Sequence, residues 1–253
     1  LWNLSLSALN LGKLELGFSL YENRWLKKNI NLKRKFTDIQ SPSKLNEIEN
    51  KKILISDEQG LGDTIQFSRF VVDLLQHTKK ITFVVNSKLL ELFLNLDKNI
   101  NIVDYTNVIS KDFEYHISLC SLPKLLNIKN KNDINFYKLS LNEKVNFQVK
   151  KNKTLNIGLC WSGNPNYPRD QFRSINFKEI EKFILKNKDV NFYKLSRDIN
   201  KNISLNFDHL TNLIDFSEKN LFEIAKVLNQ FDLIVSSDTS IIHLAGILNI
   251  KSI

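Results

Sequence analysis

The sequence predicts an α/β protein: a short helical hairpin followed by two doubly wound parallel sheets. Three observations carry this. Apolar strand-like runs alternate with helical stretches in two sets, over 51–141 and 155–253. The strand runs, such as Ile53–Ile55 and Leu233–Val235, are short and continuously apolar, as strands covered on both faces are. Polar or glycine-bearing turns follow three of them, at the sheet end where open α/β folds place ligands.

With 253 residues, 42% hydrophobic and 25% charged, the chain has room for one large or two small globular domains. No apolar run is long enough to span a bilayer, and Leu1–Trp25 lacks the pattern of a secretory signal. The net charge of +9 is spread along the chain without a dense basic run. It therefore argues for attraction of an anionic substrate, not for nucleic-acid binding. Cys120 and Cys160 are far apart, and each ends an apolar run. They read as small buried residues in a reducing, cytoplasmic setting, without a disulfide or metal role. The chain starts at Leu1 and holds no Met, so it is expected to be a piece of a longer protein.

The elements follow in order. Leu1, Leu4, Ala8 and Leu11 recur at helical spacing; Gly12 interrupts, and Leu14, Phe18, Tyr21 and Trp25 resume it. Residues 1–28 thus read as a helical hairpin, with Ala8 and Gly17 permitting close approach. The polar stretch 29–50, with Ser41-Pro42-Ser43, reads as a linker or wrapping segment. Ile53–Ile55 opens the first sheet. Gly60 and Gly62 are expected to form a tight turn, and Asp63-Thr64 to open a helix that buries Phe67, Phe70, Val71, Leu74 and Leu75. Strands at Ile81–Val85, Ile100–Val103 and His116–Leu119 and a helix at Lys88–Leu94 continue the pattern. His116 reads as a core or edge histidine. Residues 142–154 look like a polar, helical inter-domain connection. The second set has strands at Ile157–Trp161, Val190–Leu195 and Leu233–Val235, and helices at Asn176–Lys186 and Ser217–Asn229. A further helix starts near Thr239, and Asn249–Ile253 reads as the turn into another strand.

Three loops carry the candidate chemistry. In Ser236–Ser240, every residue is a good cap or turn former, and His243 lies one turn into the following helix. A helix N-terminus after a parallel strand attracts phosphate; Thr239, Ser240 and His243 add donors, and Asp238 is left to accept from a sugar hydroxyl. An ordinary capped turn with a packing histidine fits the same residues. In the Gly60–Asp63 turn, the third glycine of a dinucleotide fingerprint is replaced by Ile65 and no Gly-Lys-Ser/Thr follows. Asp63 would repel a phosphate, so it suits a carboxylate base or hydroxyl binder, or else an acidic cap. The long loop Ser162–Ser174, with Gly163, Asn164 and two prolines, offers Arg169 and Arg173 to phosphate oxygens, or simply to solvent.

The ordered motifs D-E-Q-G-L-G-D-T-I-Q-F, G-L-C-W-S-G-N-P…R-S-I and D-L-I-V-S-S-D-T-S-I-I-H-L-A-G together resemble the heptosyltransferase-like glycosyltransferases, the family 9 type. More closely, they resemble the bacterial branch fused behind tetratricopeptide repeats, with the first hairpin similar to one such repeat. The resemblance implies a GT-B architecture of two facing Rossmann-like domains, the acceptor side first and the nucleotide-sugar side second and incomplete. It implies inverting, metal-independent transfer from a nucleotide-diphosphate sugar, without a cofactor, to a glycan or protein acceptor, with upstream repeats offering a protein-binding surface. Asp63 then matches the general base. Asp238, Thr239, Ser240 and His243 match the donor site, with Arg173 at a basic donor position. Gly60, Gly62, Ser162, Gly163 and Asn164 match backbone that a substrate approaches. A non-catalytic scaffold or nucleotide-sugar-binding module on the same fold is the alternative. Cut at both ends, such a chain is expected to turn over poorly and to be less stable than one extended past Ile253.

Overall fold

The continuous apolar runs form the strands their composition predicts, all of them parallel. The computed structural model describes residues 1–26, 34–141, 147, 149, 155–167, 169–196 and 207–253. These divide into two compact units, Leu1–Tyr137 and Lys138–Ile253. The expected helical connection over 142–154 and the hairpin's end at residue 28 lie outside the described residues, apart from Phe147 and Val149.

The first unit begins with helices α1 (Trp2–Asn10) and α2 (Leu14–Tyr21), followed by a 3-10 turn over Glu22–Leu26. Gly12 takes φ +71°, the left-handed conformation that reverses the chain. A Cβ on Gly17 would lie 2.5 Å from Leu9 Cδ2, so the glycine permits the close approach of the helices. Strands β1 (Ile53–Ser56), β2 (Ile81–Val84), β3 (Ile100–Val103) and β4 (Tyr115–Ser118) pair in the order β3-β2-β1-β4. Helices α3 (Leu61–Phe67), α4 (Arg69–Asp73), α5 (Ser87–Phe93) and α6 (Leu122–Leu125) connect or follow them.

The described part of the expected linker is a packed strap. Ile39 and Ile48 are buried, and Ile39 joins Leu54, Val84 and Phe36 in one core cluster. The Gln40 carbonyl accepts from His116 N–H, and Ser41 Oγ donates to the His116 carbonyl. Strand alternation puts Leu54, Ser56, Val84 and His116 on the face the strap covers. This is the wrapping segment, one of the two readings the polar composition left open, because only a few apolar side chains are needed to dock an extended segment.

His116 is fully buried on edge strand β4, with Nε2 2.8 Å from Ser56 Oγ, Phe36 edge-on at 5.3 Å and no partner at Nδ1. Burial, helped by nearby Arg34 and Lys35 and opposed by Asp38, lowers its pKa from 6.5 to about 4. As pH falls, the unfolded chain takes up this proton first, so it binds more protons than the folded chain between the two values. Stability contributed at neutral pH is therefore lost between pH 6.5 and 4, by about 3 kcal/mol at full extent. Urea unfolding at pH 7, 5.5 and 4.5 should show this loss, and His116→Gln should flatten it. An identical loss in the variant would assign the acid sensitivity to other groups.

The second unit repeats the topology. Strands β5 (Asn156–Cys160), β6 (Asn191–Lys194), β7 (Leu213–Asp215) and β8 (Leu233–Ser236) pair in the order β7-β6-β5-β8. Helices α7 (Phe177–Lys186), α8 (Leu221–Leu228) and α9 (Ser240–Ile247) accompany them. Ile157, Leu159, Trp161, Ile184 and Phe192 form the core on one face; on the other, Tyr193 stacks on Phe231 at 4.6 Å. Strand β7 had no expectation from the sequence: it is three residues long and partly exposed. Helix α8 starts four residues later than expected, because Asn220 and Glu223 form a capping box there. After α9, Asn249 takes φ 58° and Ser252 bridges to Ile234, so the last residues run as the beginning of a parallel strand beside β8.

Candidate functional site

In both sheets the strand order reverses beside the first strand, so the crevice expected for a ligand lies between the loops after β1 and β4, and after β5 and β8. The sequence candidates fall in these loops.

In the second unit, Ser236-Ser237-Asp238 leads from β8 into α9, which Thr239 caps. Thr239 Oγ1 accepts from Ile241 N–H at 3.3 Å and lies 3.1 Å from Ser236 Oγ and 3.4 Å from Cys160 Sγ. Thr239 is buried, and its hydroxyl is occupied by this cap. The other first-turn N–H groups of a helix have no intrahelical acceptor, and the dipole makes this end electropositive. Ser240 is the first helical residue and half-buried. His243 is one turn further, with Nε2 3.8 Å from Asp238 Oδ1. The Asp238 side chain is 79% exposed.

The loop after β5 folds back onto this turn through Arg173. Its Nη1 donates to the Asp238 carbonyl at 2.6 Å, its Nε pairs with Asp170 at 2.9 Å, and its guanidinium lies over the Tyr167 ring. A Cβ on Gly163 would sit 2.3 Å from Arg173 Nη2, so only glycine leaves room for the guanidinium. Gly163 N–H donates to Ser174 Oγ, Ser162 N–H to Ser196 Oγ, and Asn166 N–H to Asn164 Oδ1. Arg173, Gly163 and Asp238 are therefore brought together, with Ser162 beside them. Asn164 is exposed at the loop's outer part, and so is Arg169.

Sequence reasoning passes over Lys194. It ends β6 fully buried, with Nζ 3.1 Å from Asp215 Oδ2, 3.4 Å from Ser217 Oγ and 4.4 Å from the Phe207 ring centroid. Burial would raise the Asp215 pKa, but the Ser217 hydrogen bonds and Lys194 outweigh it and hold the carboxyl below its ordinary range. The available signal was a lysine between Tyr193 and Leu195 in the expected strand Val190–Leu195.

In the first unit, the Asp57–Asp63 segment follows β1. The expectation that Gly60 and Gly62 make the turn is corrected. The positive φ belongs to Gln59 at 62°, Gly60 is extended, and Gly62 lies within the first turn of α3. Glycine at 60 instead leaves room for the Asp63 carboxylate, whose Oδ2 would be 3.1 Å from a Cβ there. Asp63 Oδ2 accepts from Gly60 N–H at 3.0 Å, so Asp63 closes the start of α3 from its third position. Thr64 is buried, with its hydroxyl donating to the Gly60 carbonyl.

Two further carboxylates stand beside this turn. Asp57 accepts from Lys35 Nζ at 2.9 Å, from Asn86 N–H at 2.7 Å and from the Tyr105 hydroxyl. Glu58 is buried and accepts from Cys120 N–H at 3.0 Å and from Arg24. Burial raises the Glu58 pKa, and Arg24 partly offsets this. Among the described residues no group of three or more His, Cys, Asp or Glu side chains could hold a metal ion, and no helix is long and apolar enough to cross a membrane.

No protein-family model matches the sequence, and no curated protein matches it. Solved structures do. The dodecameric iron-containing heptosyltransferase TibC, in complex with ADP-D-beta-D-heptose, aligns with TM-score 0.57 at 12% identity, over 81% of this chain and 58% of that one. TibC from enterotoxigenic E. coli gives TM-score 0.56 at 12% identity, over 81% and 57%. A family 9 glycosyl transferase from Veillonella parvula gives 0.52 at 10% identity, over 81% and 80%. The chain thus spans less than two thirds of the TibC structures it matches. At these identities the likeness is one of fold: the two parallel sheets with their helices are arranged like those of these heptosyltransferase and family 9 glycosyl transferase structures.

Proposed function

We propose that the chain is the sugar-transferring part of a glycosyltransferase that uses a nucleotide-diphosphate sugar. The observation that carries this is the start of α9 at the carboxyl end of β8. An electropositive helix end, with Ser240 and His243 beside it and Arg173 bracing the preceding turn, suits a diphosphate. The exposed Asp238 carboxylate suits a sugar hydroxyl, and Asp63 an acceptor hydroxyl. ADP-heptose, bound by one of the structural neighbours, is the first donor to test. Transfer is proposed to be inverting and independent of metal, to a glycan or protein acceptor, in the cytoplasm.

In the first unit, Asp63 is proposed as the base for the acceptor proton; in the second, α9 and His243 are proposed to stabilise a departing diphosphate. One observation favours the alternative of a binding module: Asp63 already serves as a cap to Gly60 N–H. Turnover separates the two readings, because a module binds the donor without consuming it.

Calorimetric titration with ADP-sugars tests the donor site. His243→Ala should weaken binding about tenfold, the value of one hydrogen bond to a charged group. Thr239→Val is the poorer probe, because it removes the helix cap and so lowers stability by about 1 kcal/mol. Equal affinity in wild type and His243→Ala would remove His243 from the donor site.

A further inference from the structure

In the first unit the helical hairpin and the turn after it contact the loops that follow β1 and β4. Arg24, fully buried, lies against the loops after β1 and β4 together. Its Nη2 is 2.9 Å from Glu58 Oε1 and donates to Ser121 Oγ at 2.7 Å; its Nε donates to Glu58 Oε2 at 3.3 Å. Its Nη1 donates to Glu22 Oε1 at 2.9 Å, and Ser121 Oγ donates to Glu22 Oε2 at 3.2 Å. The Trp25 and Tyr21 rings flank the guanidinium, with centroids at 4.3 and 5.1 Å. One residue beyond Glu58, Gln59 occupies the left-handed region, where glycine would ordinarily stand. Its side chain explains the choice: Nε2 donates to the Tyr21 hydroxyl at 2.8 Å and approaches Cys120 Sγ at 3.8 Å. Phe18 adds an edge-on contact to Phe67 of α3.

We infer that the hairpin sets the conformation of the Asp63 turn, with Arg24 and Tyr21 as positioning residues. Arg24 anchors Glu58, Tyr21 holds Gln59 at positive φ, and the chain then reaches Gly60 in the extended conformation from which Asp63 closes α3. The role assigned to the turn rests on the proposed transferase reading; the clamp itself does not. Lysine cannot replace Arg24, because a single ammonium cannot span Glu58, Ser121 and Glu22 in one plane or stack between two rings.

Hydrogen exchange read by mass spectrometry tests this on the whole chain. Tyr21→Phe keeps the packing and removes only the acceptor for Gln59. The peptide covering Glu58–Thr64 should exchange about tenfold faster in Tyr21→Phe and in Arg24→Lys, with the β2 peptide unchanged. The melting temperature of Tyr21→Phe should stay within about 2 °C of wild type. Gln59→Gly should reproduce the Tyr21→Phe effect, and the two should not add, since they break one contact. With ADP-heptose as donor, Tyr21→Phe should lower kcat and leave the donor KM unchanged. Unchanged exchange at Glu58–Thr64 in both Tyr21→Phe and Arg24→Lys would overturn the inference. So would an equal rise at β2, which would mean general loosening. If the wild-type chain neither binds nor consumes an ADP-sugar, the transferase reading fails, and the exchange result alone decides the clamp.

Discussion

Asp63→Asn is expected to lower turnover by about 10²-fold or more while donor affinity stays within about twofold, the signature of a lost general base. The geometry makes this substitution informative. Asp63 Oδ2 accepts from Gly60 N–H, and an asparagine carbonyl oxygen can accept the same bond. The start of α3 is therefore preserved, and what is removed is the basic oxygen. Asp63→Ala removes both cap and base, and should add a stability loss of about 1 kcal/mol. Comparing the two separates the roles. A normal rate in Asp63→Asn with a lowered melting temperature in Asp63→Ala would leave Asp63 as a cap alone. In that case the binding-module reading gains, provided ADP-sugars still bind.

Much of this fold can be read from local sequence, because its signals are local. Each strand of the first sheet overlaps a strand expected from the sequence, and Thr239 and Asn176 cap helices where their side-chain chemistry suggests. The candidate loops are legible because polar turns follow apolar strands. What was missed depends on long-range partners. Arg24 carries no local signal of burial, and its partner Glu58 is 34 positions away with no periodic link. Arg173 reads equally well as a phosphate ligand or a solvated loop charge. Its contacts with Asp170, Gly163 and the Asp238 carbonyl make it the strut between two loops. The Gly60-Leu61-Gly62 pattern suggests a glycine turn, yet the left-handed residue is Gln59, and only the position of Tyr21 in space explains it. The strap over 34–50 reads as a linker or a wrapping segment alike, because its docking rests on isolated apolar residues and on backbone groups paired with β4.

Arg24→Met is expected to cost the first unit about 3–5 kcal/mol, the largest stability effect of any single substitution proposed. Burial works to lower the Arg24 pKa, but the Glu58 and Glu22 carboxylates outweigh it and raise it, so the guanidinium is held charged. Methionine fills much of the same space between Tyr21 and Trp25, which isolates the electrostatic consequence. Glu58 remains buried, keeping the Cys120 N–H and losing its counter-charge. A buried carboxylate without a partner must either stay charged at high cost or take up a proton. The destabilisation should accordingly shrink at low pH, where protonated Glu58 no longer needs Arg24. The paired variant Arg24→Met, Glu58→Gln removes both charges, and should recover a large part of the loss, because a neutral amide can still accept from Cys120 N–H. Urea titrations of the three variants at pH 7 and pH 5, followed through tryptophan fluorescence, check each step. If the paired variant is no more stable than Arg24→Met alone, the loss comes from the stacking of Arg24 between the two rings and not from the stranded charge on Glu58.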